Sequence, residues 1–108
     1  MSIRSITRAE FDTFKPLRAP AAALILDEMD WFADDAGVVL GFIARDQADH
    51  NYFVGVLGRD EGGTFRAIDV NSGIVTLDEA RSELIAKMEK ALATGKTVYP
   101  GRVSRRQR

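Results

Sequence analysis

The stretch Val38–Gly58, VVLGFIARDQADHNYFVGVLG, decides the fold of this chain. Two apolar runs, rich in β-branched and aromatic residues, flank the polar segment DQADHN, whose Asp and Asn residues are typical of turns. Because the connection is short, the two runs are predicted to pair as an antiparallel hairpin. Each run carries a glycine in its interior, at Gly41 and Gly55. Glycine weakens a strand there, and it often marks a close approach by another backbone or a ligand.

Further strands and two helices are predicted around this hairpin. EMDWFA precedes it and TFRAIDV follows it, across the turn-like segments DDAG and DEGG, so a meander of four (or three) antiparallel strands is expected. Next, VTLDEARSELIAKMEKALATGK predicts an amphipathic helix with a capping box at Thr76 and Glu79 and a stop at Gly95. Thr7 and Glu10 predict a short N-terminal helix, whereas APAAALILD fits either a helix or a strand. The predicted fold class is α+β, with the meander packed against the C-terminal helix.

Length and charge indicate one domain followed by a basic tail. Residues 1–95 contain ten Lys/Arg and sixteen Asp/Glu, whereas residues 96–108 contain five basic residues and no acid. We therefore assign 1–95 to a single domain and 96–108 to a C-terminal tail. The tail either is solvated, folds back on the acidic body, or binds nucleic acid. The candidate nucleic-acid contacts are Arg102, Arg105, Arg106 and Arg108.

The chain contains no cysteine, and it shows neither a secretory leader nor a long apolar segment. We expect a cytoplasmic protein without a membrane partner.

With the hairpin loop centred on Ala48, Gly41 lies opposite Gly55, and both faces of the sheet are apolar. We expect the C-terminal helix to cover the face formed by Met29, Trp31, Leu40, Phe42, Val54, Val56, Phe65 and Ala67. The other face contains the glycine pair and is too apolar to be left in water. Its cover is the N-terminal segment, a second copy of the chain or a ligand. The candidate interface residues for a homodimer or another protein partner are Phe32, Val39, Gly41, Ile43, Phe53, Gly55, Leu57 and Ile68.

Patterns for catalysis are sparse. The sequence has no nucleophile elbow, zinc-protease motif, EF-hand loop or phosphate-binding glycine motif. We therefore assign no catalytic, cofactor-binding or metal-binding residue and do not predict an enzyme. His50, the single histidine, is predicted to lie in a turn. Two other turns are expected to bring four carboxylates together as an acidic rim, and we interpret this rim as solvated turn residues and not as a cation site. That rim would consist of Asp34, Asp35, Asp60 and Glu61.

The order of helix, strands and helix is similar to the double-stranded RNA-binding domain. That family opens its last helix with lysines that bind phosphates, where this chain has Asp78 and Glu79. The order of strands and then helix resembles the AP2-like and integrase arm-type DNA-binding domains, which contact DNA through an exposed sheet. The matching sheet residues here are Arg45, Arg59 and Arg66, with acidic residues close by.

More closely, WFADDAGVVLGFIARD…FVGVLGRDEGGTFRAIDV looks like small uncharacterised bacterial proteins with a W-[FY]-A-D…G-x-V-L-G…R-D-x-x-G-x-F-R-x-[IV]-D pattern. That resemblance covers about residues 28–90 and implies no activity. We predict a non-enzymatic interaction module that self-associates through an apolar sheet face. The alternatives are a nucleic-acid-binding accessory or regulatory protein that uses the tail and the sheet arginines, and a small-molecule binder around His50 and the acidic turns.

Overall fold

The computed structural model describes residues 2–17 and 25–99. Its sheet contains five antiparallel strands in the order β1-β2-β3-β4-β5. The elements along the chain are β1 (Ile3–Ile6), α1 (Arg8–Thr13), β2 (Leu26–Asp34), β3 (Leu40–Asp46), β4 (Tyr52–Arg59), β5 (Phe65–Ile74) and α2 (Leu77–Thr94). The predicted α+β class and antiparallel meander are confirmed, with one strand more than the predicted four. The undecided stretch APAAALILD falls largely outside the described residues, and β2 begins at Leu26.

The C-terminal helix α2 begins and ends where the sequence predicts. The Thr76 hydroxyl accepts a hydrogen bond from the Glu79 backbone N–H at 3.2 Å, and the Glu79 carboxylate accepts one from the Thr76 backbone N–H at 3.3 Å. This reciprocal pair is a capping box. At the other end Gly95 adopts the left-handed conformation, with φ of 72°, and terminates the helix.

The short helix α1 is also confirmed, although only half of its predicted capping box forms. The Thr7 hydroxyl accepts a hydrogen bond from the Glu10 backbone N–H at 3.1 Å. The Glu10 carboxylate instead accepts a hydrogen bond from Arg4 of β1 at 2.8 Å. This second bond ties α1 to the edge strand that precedes it.

The predicted register of the central hairpin is wrong by one residue. Gly41 pairs with Val56, and Gly55 pairs with Phe42. The Asp46 N–H donates to the Asn51 carbonyl at 2.9 Å, so the loop between β3 and β4 is centred between Ala48 and Asp49 and not on Ala48, and His50 within it adopts a left-handed conformation, with φ of 63°. Since side chains alternate between the faces of a sheet, a shift of one residue places the two glycines on opposite faces.

The sheet therefore has a hydrophobic core on each face. On one face, α2 buries Leu84 and Met88 against residues of β3 and β4, namely Val39, Ile43, Val54 and Val56. On the other face, Phe11 of α1 packs with Ile6, Ala33, Leu40, Leu57 and Phe65. The residues predicted to lie under the C-terminal helix include members of both of these cores, so that prediction is partly wrong. Val54 and Val56 do lie under α2, but Trp31, Leu40, Phe42 and Phe65 face the other way.

Candidate functional site

Gly41 lies directly beneath helix α2. A Cβ atom added at this position would be 2.6 Å from the sulfur of Met88 and 3.0 Å from a methyl group of Leu84. Real Cβ atoms do not approach other heavy atoms so closely, and both side chains are fully buried. The first glycine therefore allows the helix of the same chain to approach β3, and no second copy is needed to explain it.

Gly55 has a different role on the opposite face. A Cβ atom here would be 2.6 Å from the ring of Phe42, the residue that pairs with Gly55 across β3 and β4. The Phe42 ring extends over Gly55 and stacks on Phe53, with 5.8 Å between the ring centroids. The absence of a side chain at Gly55 thus leaves room for the Phe42 ring, which forms an aromatic cluster with Phe53.

This cluster belongs to a row of paired residues that crosses all five strands. The row runs from β1 to β5 through Ile6, Trp31, Phe42, Gly55 and Val70. Ile6 is only 7% exposed, Trp31 and Phe42 are half-buried, and Val70 is 49% exposed. The row is therefore covered at its β1 end and open at its β5 end. We call the surface formed by Trp31, Phe42, Phe53 and Val70 the aromatic patch.

The rings of the aromatic patch are held in place from the covered side. Phe11 of α1 meets Phe42 edge-to-face, with centroids 6.3 Å apart. The indole N–H of Trp31 donates a hydrogen bond to the Glu28 carboxylate at 3.0 Å. Phe42 and Trp31 are thus held in place before any partner binds. The patch is a preorganised surface, so binding a partner costs little side-chain entropy.

Strand β5 forms the edge of the sheet beside the patch. At its start, the Phe65 carbonyl accepts a hydrogen bond from the Leu17 backbone N–H at 2.9 Å. Farther along, Ala67, Val70 and Ser72 are exposed. An edge strand offers unpaired backbone groups to another chain, although register irregularities within β5 limit how long such a pairing can be.

The structure divides the predicted interface residues between the two faces. Val39, Gly41 and Ile43 are buried under α2, and Phe32 and Ile68 pack beside that core. Leu57 and Gly55 are buried on the opposite face. Only Phe53 belongs to the aromatic patch, and Trp31, Phe42 and Val70 were missed. The missed signal was the length of the β3–β4 loop, since one residue of register moves Trp31 and Phe42 to the face of Phe53.

The predicted nucleic-acid residues do not form one surface within the part of the chain that the structure describes. Arg45 lies near the β3–β4 turn, whereas Arg59 lies at the far end of β4. Arg66 is paired with Asp60, at 2.6 Å between Nε and the carboxylate. Arg102, Arg105, Arg106 and Arg108 lie outside the described residues. Residues 97–99 do contact the domain, because Val98 bridges to Arg59 and the Tyr99 N–H donates to the Arg59 carbonyl at 2.8 Å.

Three carboxylates of the expected acidic rim, those of Asp34, Asp35 and Asp60, accept structural hydrogen bonds. Asp34 is 4% exposed and accepts bonds from the Val38 and Val39 N–H groups at 2.7 and 2.8 Å. Asp60 accepts bonds from the Thr64 backbone and from Arg66, and these bonds lower the pKa of its carboxyl. Among residues 2–17 and 25–99, no group of three or more His, Asp or Glu side chains is placed to hold a metal ion. His50 is exposed in its turn.

No helix in the described part of the chain is long and apolar enough to cross a membrane. Comparison with known protein families, curated proteins and solved structures finds no match to this chain.

Proposed function

We propose that this protein is an interaction module that self-associates through the aromatic patch. The observation that supports the proposal is the row from Ile6 to Val70, which is closed by α1 at one end and leaves Val70 49% exposed at the other. Aromatic residues are enriched in protein interfaces, and an apolar surface that is rimmed by polar groups marks a contact site. A chain without cysteine fits our placement of the protein in the cytoplasm.

A second copy of the same chain is the partner that fits this surface. Residues near a two-fold axis lie close to their own counterparts in the second copy, so a charge at the centre of the interface would repel itself. The patch residues Trp31, Phe42 and Val70, and the buried Gly55 that lies between Phe42 and Val70, carry no charge. The adjacent edge strand β5 extends the same surface with backbone groups.

The alternative of nucleic-acid binding has less support from the sheet. Its three sheet arginines are split between opposite ends of β3 and β4, and Arg66 is neutralised by Asp60. That function would therefore depend on the tail.

The test is analytical ultracentrifugation of the full chain and of two matched variants. The wild type should sediment as a dimer of twice 11.9 kDa at micromolar concentration. Val70→Glu should raise the dimer dissociation constant at least about 30-fold, because burying an unpaired charge costs about 2 kcal/mol or more. Val75→Glu makes the same chemical change at a position that is 70% exposed, in the connection between β5 and α2. It should leave the constant within about twofold of the wild type.

A wild type that stays monomeric up to hundreds of micromolar would overturn the proposal. An equal rise of the dimer dissociation constant in Val70→Glu and Val75→Glu would also overturn it, because the dimer would then respond to added charge wherever it is placed and not to a change in the aromatic patch. Circular dichroism of both variants checks that the fold is retained.

A further inference from the structure

A cleft separates the C-terminal half of α2 from the first half of β5, on the face of the sheet opposite the aromatic patch. It has a volume of about 210 Å³ and an apolar floor that includes Ile68 and Ala91. Three lysines line it: Lys87 and Lys90 from α2, and Lys96 from the segment that follows the helix. We call this feature the lysine cleft.

The charges of the lysine cleft are unbalanced. Its one carboxylate, Asp69, is 3.1 Å from the ammonium group of Lys87, which also lies 3.9 Å from Glu83. Lys87 is thus neutralised and is only 23% exposed. Within residues 2–17 and 25–99, neither Lys90 nor Lys96 forms an ion pair. Two ammonium groups therefore flank the apolar floor without an anionic partner among the described residues.

The position of Lys96 is fixed by the residues after it. Thr97 crosses the sheet so closely above Gly58 that a Cβ atom there would overlap the Thr97 carbonyl. Val98 then forms a β-bridge with Arg59. The Arg66 guanidinium lies over the Tyr99 ring, with 5.4 Å between Cζ of Arg66 and the ring centroid. This docking holds Lys96 at the mouth of the cleft, and Lys90 is held by the helix. The backbones of Lys90 and Lys96 are thus both held by ordered structure, the first by α2 and the second by the docked residues 97–99.

We propose that the lysine cleft binds a phosphate group. Ammonium groups bind phosphate as point charges, each with three hydrogen-bond donors. The small volume accommodates a phosphate group better than a whole drug-sized ligand, for which pockets are larger. Lys90 and Lys96 bind the phosphate oxygens, and the floor at Ile68 contacts the apolar part of the molecule that carries the phosphate. This site is separate from the aromatic patch and does not depend on self-association.

The phosphate group has two possible sources: a small phosphomonoester or the backbone of a nucleic-acid strand. The sequence adds four arginines after Tyr99, at 102, 105, 106 and 108. A nucleic-acid strand carries further phosphates that basic residues outside the cleft can bind, whereas a small phosphomonoester does not, so deletion of the tail distinguishes the two sources.

The test is an NMR titration of the isotopically labelled full chain with inorganic phosphate at constant ionic strength. The amides of Lys90, Thr94 and Lys96 should shift with a saturable dependence on phosphate. Lys90→Gln and Lys96→Gln should each weaken binding about tenfold, as expected for the loss of a charge-assisted hydrogen bond. Lys15→Gln removes the same charge after α1, on the opposite face of the sheet, and should change binding less than about twofold.

The proposal is overturned by cleft amides that do not shift with phosphate, or by equal losses in Lys90→Gln and Lys15→Gln. A second titration, with a twelve-nucleotide thymidine oligomer, separates the two sources. Tighter binding than inorganic phosphate, a steep fall with salt and a loss when residues 100–108 are deleted identify a strand. Binding no tighter than that of inorganic phosphate and unaffected by the deletion identifies a small phosphomonoester. Both results support the phosphate site.

Discussion

The contact between Gly41 and α2 predicts a specific energetic coupling. Gly41→Ala places a methyl group 2.6 Å from the Met88 sulfur, so Met88 must move. Such overpacking costs about 1–3 kcal/mol. Met88→Ala removes a fully buried side chain and costs about 2–5 kcal/mol. In the double variant, the added methyl group occupies part of the space that Met88 leaves, so the loss should be smaller than the sum of the single losses by about 1 kcal/mol or more.

Urea denaturation of the four proteins, followed by circular dichroism, measures this coupling. The matched control is Gly62→Ala, whose Cβ would meet only the Asp60 carboxylate, at 3.5 Å. Paired with Met88→Ala, it should be additive within about 0.5 kcal/mol, because the two sites share no partner. Additivity for Gly41→Ala and Met88→Ala as well would refute the placement of α2 on the Gly41 face.

Three further predictions concern the turns and the docked segment. Asp34→Ala should lower the free energy of unfolding by about 2–3 kcal/mol in urea denaturation, because the buried N–H of Val39 loses its acceptor; a loss below about 0.5 kcal/mol would mean that this loop does not need the carboxylate. Because the folded-state pKa of Asp60 is lowered, its contribution is complete above the unfolded pKa of about 3.9 and is lost as the pH falls toward the folded value. The stability advantage of the wild type over Asp60→Asn, from denaturation at several pH values, should therefore be constant above about pH 5 and shrink in acid; an advantage that grows in acid would contradict the lowered pKa. Gly58→Ala should speed hydrogen exchange at the Tyr99 amide, which donates to the Arg59 carbonyl, while α2 stays protected; unchanged exchange at Tyr99 would show that Thr97 does not pass over Gly58.

The elements that the sequence predicts are those whose signals are local. Helix α2 contains its own start at Thr76, its own stop at Gly95 and a periodic apolar face, so its limits follow from neighbouring residues. Strand β1 has no such signal. Its four residues, IRSI, form a strand because they pair with β2, and this pairing is a tertiary contact.

The candidate surface was harder to predict because it depends on the length of one hairpin loop. A loop centred on Ala48 would place Gly41 opposite Gly55, whereas the observed loop is centred between Ala48 and Asp49, which shifts the register by one residue. Turn-forming residues such as Asp46, Asp49 and Asn51 occur along the whole connecting segment, so they do not specify the length of the loop, and the shift moves every residue of β4 to the other face relative to β3. The prediction that the face containing both glycines is covered by the N-terminal segment, a second copy or a ligand thus assigned the wrong residues, because α2 covers the face of Gly41 and Phe11 of α1 packs on the opposite face. The open surface instead lies around Phe42 and Val70.

The most direct test of self-association through the aromatic patch is an isotope-filtered NOE experiment on a mixture of labelled and unlabelled chains. It detects only contacts between protons of different copies. We expect intermolecular NOEs from the Val70 methyl groups to the ring protons of Trp31, Phe42 or Phe53. Intermolecular NOEs that arise instead from the outer surface of α2, or the absence of any at millimolar concentration, would contradict the account.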